Sequence, residues 1–317
     1  MPGRPALSAV EQRDRLRQLQ PTTLYFWMRA ERERGSWWDS PHWPPYTALL
    51  VSSVAPVVVE TGVAAHFGPV PTGNSLAALG VAVSLGFGLL GLIRTAHAEP
   101  VTGNRVAGLG SVRQLPGPTV AWLAGALVLA IWLAATTDWW LLAVGGVAVV
   151  IAGLLGRLVD RTVAIGREQL ALVAAAELLA GFGTVWVELG RLPWLGLVAA
   201  LLPASLATTL LVLAKLRDRP TAGLDSAQGA VAGLTGKGTR TLFQGLLSLA
   251  LAVPLLITIP GLDGAECFLP WLLAPLAEGP LRNSRSPEPA LRQRAVRQTV
   301  ALFAACSALL AVGLWTG

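Results

Sequence analysis

The chain has 317 residues, of which 53% are hydrophobic and only 13% charged, and it carries a net charge of +6. Soluble domains carry about 25% charged residues, so this balance excludes an ordinary soluble enzyme and points to an all-α, polytopic integral membrane protein. The basic excess is read as a topology signal rather than a nucleic-acid surface.

In chain order, residues 1–45 read as a cytoplasmic and interfacial lead, and 46–317 as one transmembrane domain. The first 20 residues are polar and Arg-rich without an apolar centre, which is not the pattern of a cleavable signal peptide. Ala9 to Leu19 suits a short basic amphipathic helix, and Trp27, Trp37, Trp38 and Trp43 suit the head-group layer. A span needs roughly 20 apolar residues. Such segments occur at about 46–66, 74–93, 118–136, 139–158, 169–187, 195–214, 241–259, 265–278 and 297–315. The eighth is short and holds Pro270 and Pro275, so it is expected to be tilted or broken.

Charge fixes an orientation for these nine spans. Of the 24 Lys and Arg residues, only Arg191 falls on the face opposite to the others. Cytoplasmic loops retain Lys and Arg, so the amino terminus is expected inside and the carboxyl terminus outside. The loops on the cytoplasmic side are long and carry nearly all the titratable groups, which puts any chemistry at that mouth.

Glu60 lies well inside the first span and Glu177 near the middle of the fifth. Acids inside a bilayer are costly and mark either function or a helix–helix hydrogen bond. After the second span come Arg94, His97, Glu99 and Asn104, then a Gly-rich run through Arg113 to Gly117. Backbone N–H groups and Arg forks in such a run can wrap phosphate oxygens, and the same composition also makes a flexible turn. After the sixth span, KLRDRPTAGLDSAQGAVAGLTGKGTR sets Asp218 and Asp225 among Lys215, Arg217, Arg219, Lys237 and Arg240. A polar loop between two membrane-length helices can hold a charged head group while its apolar tail stays in lipid. Cys267 and Cys306 lie in apolar surroundings and read as packing residues.

Glu177-Leu178 with Gly183 and Gly190, Leu216-Arg217-Asp218 with Asp225-x-x-x-Gly229, and Arg113-Gln114-Leu115-Pro116-Gly117 are the residues that carry a family likeness. They resemble the UbiA superfamily of intramembrane prenyltransferases, in particular its dihydroxynaphthoate-prenylating branch. The resemblance implies nine helices around a central cavity and transfer of an isoprenoid group from a prenyl diphosphate to an aromatic or other lipophilic acceptor. It also implies Mg²⁺ held by Asp-rich motifs. Here that gives Asp218 and Asp225 as catalytic metal ligands with Glu99 as a third, and Arg113, Lys215, Arg217, Lys237 and Arg240 on the diphosphate. Arg94, His97, Asn104 and Glu177 are further candidates.

The chain also departs from the family. The first Asp-rich motif is replaced by GLIRTAHAEP (Gly91 to Pro100), whose one acid is Glu99. Ala214 and Lys215 stand where the family has paired Asn residues, and Asp218 and Asp225 are seven apart instead of four. Two functional readings follow: an Mg²⁺-assisted prenyltransferase, or a UbiA-like membrane protein that lost catalysis and binds an isoprenoid lipid or a protein partner. A transporter is disfavoured, because acids within the spans are few and no inverted repeat is visible.

Overall fold

The structure is a computed structural model that describes residues 43–98, 117–159, 166–218, 231, 234–258, 265–286 and 288–317. Apart from an isolated bridge at Val231, every regular element among them is helical. The expected amphipathic helix of the amino-terminal lead lies outside the described residues. The elements are α1 (Trp43–His66), α2 (Thr72–Ala98), α3 (Gly117–Thr136), α4 (Leu141–Val159), α5 (Arg167–Leu189), α6 (Trp194–Ala199), α7 (Leu201–Asp218) and α8 (Gly236–Thr258). A 3-10 helix (Ala265–Ala277), α9 (Glu278–Asn283) and α10 (Pro289–Thr316) follow.

Local chemistry explains most boundaries. Gly190 ends α5 in the left-handed region at φ 65°, where its N–H donates to the carbonyl of Trp186. Only glycine takes that conformation without steric cost. Thr235 caps α8 by accepting the Gly238 N–H at 3.1 Å. Between α6 and α7 the chain bends at Ala200, three residues before Pro203. Pro203 has no N–H to return to the carbonyl of Ala199. Pro270 and Pro275 deny the α-helical ladder twice in 13 residues, and that segment winds as a 3-10 helix instead.

Several helices run past the apolar stretches that announced them. Arg94 and His97, expected in a loop, lie on the last turns of α2, and Lys215 to Asp218 complete α7. Lys237 and Arg240 belong to the first turns of α8. The basic stretch expected as a loop before the ninth span is partly helical, because α9 lies within it and α10 starts at Pro289. Proline is favoured at a first helical position, and the Ala, Leu, Gln and Arg that follow are good helix formers.

Seven helices among the described residues are long and apolar enough to cross a membrane: Thr47–His66, Thr72–Gly91, Gly117–Thr136, Arg167–Leu189, Trp194–Leu216, Gly236–Thr258 and Ala290–Thr316. Helix α3 turns Val120, Trp122, Leu127, Val128, Ile131 and Trp132 outward. An apolar surface of that extent suits lipid. By contrast, 78% of Trp194–Leu216 is buried, against 22% of Gly117–Thr136, so α6 and α7 form the centre of the bundle. Leu202, Leu206 and Leu213 of α7 pack in one core with Val59 and Val63 of α1, Phe243 and Leu247 of α8, and Phe303 and Leu310 of α10. Cys267 and Cys306 are both buried in that core.

Contacts give the helix directions. Ser52 meets Glu177 and Thr61 meets Glu188, so α1 and α5 are parallel. Gly62 of α1 faces Ala311 of α10, and the groove between these helices pairs Leu50, Val54 and Val58 with Ala304, Ser307 and Ala308, so they too are parallel. Gly80 opposite Leu129 and Gly91 opposite Thr119 make α2 and α3 antiparallel.

Candidate functional site

The end of α7 is where charge and helix geometry meet. The last four carbonyls of an α-helix have no donor within the helix and must find one elsewhere. Leu216 finds it in Arg292 of α10, whose Nη1 donates to the Leu216 carbonyl at 2.9 Å. Arg292 is 6% exposed, and a cation at a helix C-terminus also interacts favourably with the helix dipole. Asp218 closes the same helix two residues later, and Lys215 is half-buried on that turn. At the start of α8, which packs against α7, Lys237 is exposed and Arg240 half-buried. The two helix ends therefore flank the segment that carries Asp225.

Of the residues the sequence nominated, Lys215, Arg217, Asp218, Lys237 and Arg240 are brought to these two helix ends, and Arg94 and His97 to the last turns of α2. Glu99, Asn104, Arg113 and Asp225 lie outside the described residues. Among the described residues no three of His, Cys, Asp or Glu gather where they could hold a metal ion.

Arg292 was read only as a topology charge. A signal for it was nevertheless present: Arg292, Val296, Val300 and Phe303 recur at helical spacing, and all four are buried. An arginine on the apolar stripe of a helix has to have a partner inside the bundle.

Glu177 does not join that site. It accepts a hydrogen bond from the Ser52 hydroxyl, while its Oε2 is buried without a partner among the described residues. It begins a stripe on α5 formed by Glu177, Gly181, Thr184 and Glu188. Glu188 accepts from Thr61 at 2.9 Å and from Ser75 at 2.7 Å. Glu60 of α1 is fully buried, and neither of its carboxylate oxygens has a partner among the described residues. Glycines make room for it: a methyl group on Gly181 or on Gly196 would lie 3.2 Å from a Glu60 oxygen. Among the described residues, the donors to the Glu177 and Glu188 carboxylates of this seam are hydroxyls.

Two apolar grooves are open elsewhere. One of about 290 Å³ runs between α1 and α10, and one of about 140 Å³ lies between the 3-10 helix and α10, lined by Leu273, Leu276, Gln298, Ala301, Leu302 and Ala305.

No family model matches the chain. It is 31% identical over 277 residues to the 1,4-dihydroxy-2-naphthoate octaprenyltransferase of Mycobacterium tuberculosis, covering 82% of this chain and 93% of that protein. It is 30% identical over 283 residues to the 1,4-dihydroxy-2-naphthoate octaprenyltransferase of Mycobacterium leprae, covering 83% and 94%. Near end-to-end similarity of this kind, in a chain built of membrane-length helices and carrying the Leu216-Arg217-Asp218 motif, makes this multi-pass membrane protein a member of the UbiA superfamily of intramembrane prenyltransferases, in its dihydroxynaphthoate prenyltransferase-like branch.

Proposed function

We propose that this protein is an intramembrane prenyltransferase that transfers an isoprenoid group from a prenyl diphosphate to an aromatic, lipophilic acceptor such as a dihydroxynaphthoate. The observation that carries this reading is Asp218 at a helix end braced by a buried arginine, with Lys215, Arg217, Lys237 and Arg240 on the two helix ends around it. The two similar mycobacterial proteins named above support the reaction class.

In this reading nine segments cross the membrane, with the amino terminus in the cytoplasm. The seven long apolar helices are joined by α4 and by the 3-10 helix with α9. The parallel run of α1, α5 and α10 supports the alternation, because α5 and α10 return to the direction of α1 only if α4 and the 3-10 segment each cross. The α7–α10 end then faces the cytoplasm.

The donor set of Asp218, Asp225 and Glu99 consists of carboxylate oxygen alone, which fits Mg²⁺ in company with phosphate oxygens. When bound, Mg²⁺ supplies charge neutralisation for the leaving diphosphate. The chain's own cations act on the same leaving group. Arg113, Lys215, Arg217, Lys237 and Arg240 hold the diphosphate oxygens by charge-assisted hydrogen bonds. These bonds strengthen as negative charge gathers when the allylic carbon–oxygen bond breaks. Arg94 and His97 on the last turns of α2, and Asn104 after them in the sequence, are further candidates for the same task. The apolar helices keep water from the allylic carbon until the acceptor ring attacks it.

The test is turnover of purified protein in detergent or nanodiscs with geranyl, farnesyl and longer prenyl diphosphates and a dihydroxynaphthoate acceptor, with and without Mg²⁺. Wild type should form prenylated product, and Asp218→Asn should lower turnover by about 100-fold or more. A second reading, a binding protein without catalysis, is favoured by one observation: GLIRTAHAEP stands in place of the first Asp-rich motif. Saturable diphosphate binding with no product for any donor would establish that reading instead.

A further inference from the structure

Arg292 is an expensive residue to place where it is. It is 6% exposed, on a face of α10 that also buries Ala295, Val296, Thr299 and Phe303. Removing a guanidinium from water costs several kcal/mol unless its donors are used. Solvent-facing cations are plentiful at this end of the bundle, and Arg282, Arg285 and Arg294 on α9, α10 and the turn between them would serve membrane topology at no such cost. The direct contact of Arg292 is therefore informative. It does not point to the open end but donates to the carbonyl of Leu216 at 2.9 Å, from a position 76 residues further along the chain.

That carbonyl belongs to the last turn of α7, where no helical N–H can reach it. The bond ties α7 to α10 two residues before Asp218, at the point where the chain leaves the helix for the segment carrying Asp225. An untied helix end frays within its last turn. A carboxylate at such an end would sample several positions, and small displacements of a catalytic group are costly.

We propose that Arg292 is a positioning residue: it fixes the C-terminal turn of α7 against α10 and so sets where Asp218 meets the metal-bound diphosphate. This rests on the prenyltransferase reading for its chemical consequence, but the tie itself can be measured without turnover.

Two measurements on wild type, Arg292→Lys, Arg292→Gln and Arg292→Met test it. The first is a nitroxide label on a cysteine placed at Lys215, the native Cys267 and Cys306 being buried. The label should be immobilised in the wild-type background and clearly more mobile with Arg292→Gln or Arg292→Met. The second, without the label, is the Mg²⁺ and prenyl diphosphate dependence of turnover. Arg292→Gln should raise the half-saturating Mg²⁺ concentration and the KM for diphosphate about tenfold, with a smaller fall in kcat and a partial return in Arg292→Lys.

Arg292→Met retains the packing if loss of the charge inside the bundle prevents Arg292→Gln from folding. Unchanged label mobility in both neutral variants overturns the proposal. So does a loss of activity that follows only the folded fraction, with Mg²⁺ and diphosphate dependence as in wild type. An inactive wild type whose label still loosens in the variants would refute the prenyltransferase reading and leave the tie standing.

Discussion

The α7–α10 end and the α1–α5 seam both bury charged side chains, and they treat them differently. At the helix end, Arg292 donates to a backbone carbonyl of the last turn. Along the seam, Glu60, Glu177 and Glu188 lie beside the middle and end of other helices. There the backbone N–H groups are already spent in the helical ladder, and among the described residues the donors to these carboxylates are Ser52, Thr61 and Ser75. A buried cation can thus be served by a helix terminus, whereas a buried acid in mid-helix depends on neighbouring hydroxyls. Glu60 has none.

If that contrast divides a functional region from a structural one, substitutions should separate along it. Removing the two α8 cations together, Lys237→Ala with Arg240→Ala, should raise the KM for prenyl diphosphate about 10- to 100-fold and leave the melting temperature in detergent unchanged. Gly62→Ala should act in the opposite sense. Its added methyl would sit 2.6 Å from the Cα of Ala311 and 2.7 Å from that residue's carbonyl oxygen. The parallel contact of α1 and α10 would have to open, at a cost of about 1–3 kcal/mol of stability read by thermal unfolding. Ser52→Ala removes the donor from Glu177 and should cost about 1–2 kcal/mol, with KM for diphosphate unchanged.

The smallest effect is expected at Glu60. Glu60→Leu removes a carboxyl that has no partner among the described residues, so stability should hold or rise by up to about 1 kcal/mol, with turnover within about twofold of wild type. A large loss of turnover there would dissolve the division and give the seam a part in the reaction.

Seven of the nine expected spans appear as membrane-length helices among the described residues, legible because apolar length is a direct demand of the bilayer, and the acids inside them stood out for the same reason. What each acid contacts could not be read. The Ser52–Glu177 bond joins residues 125 apart, and no local pattern announces such a distance. Helix ends were misplaced where helix-forming polar residues carried a helix beyond its apolar stretch, as at Arg94, Lys215 and Pro289. Arg292 escaped because its charge had already been given an explanation by membrane orientation, although its spacing with Val296 and Phe303 set it on an inward face. Asp218 was legible as a motif, but not the brace behind it.

The prolines at 270 and 275 have a consequence for reach. As an α-helix, 13 residues advance about 20 Å, well short of a hydrocarbon layer of about 30 Å. Wound at about 2.0 Å per residue, the same stretch advances about 26 Å, and in the nine-span reading proposed above the six residues of α9 supply the remainder. Two imino acids thus lengthen a segment without adding to it. Alanine at both positions would let the stretch contract by about 6 Å, drawing Asn283 away from its 2.8 Å hydrogen bond with Gln298.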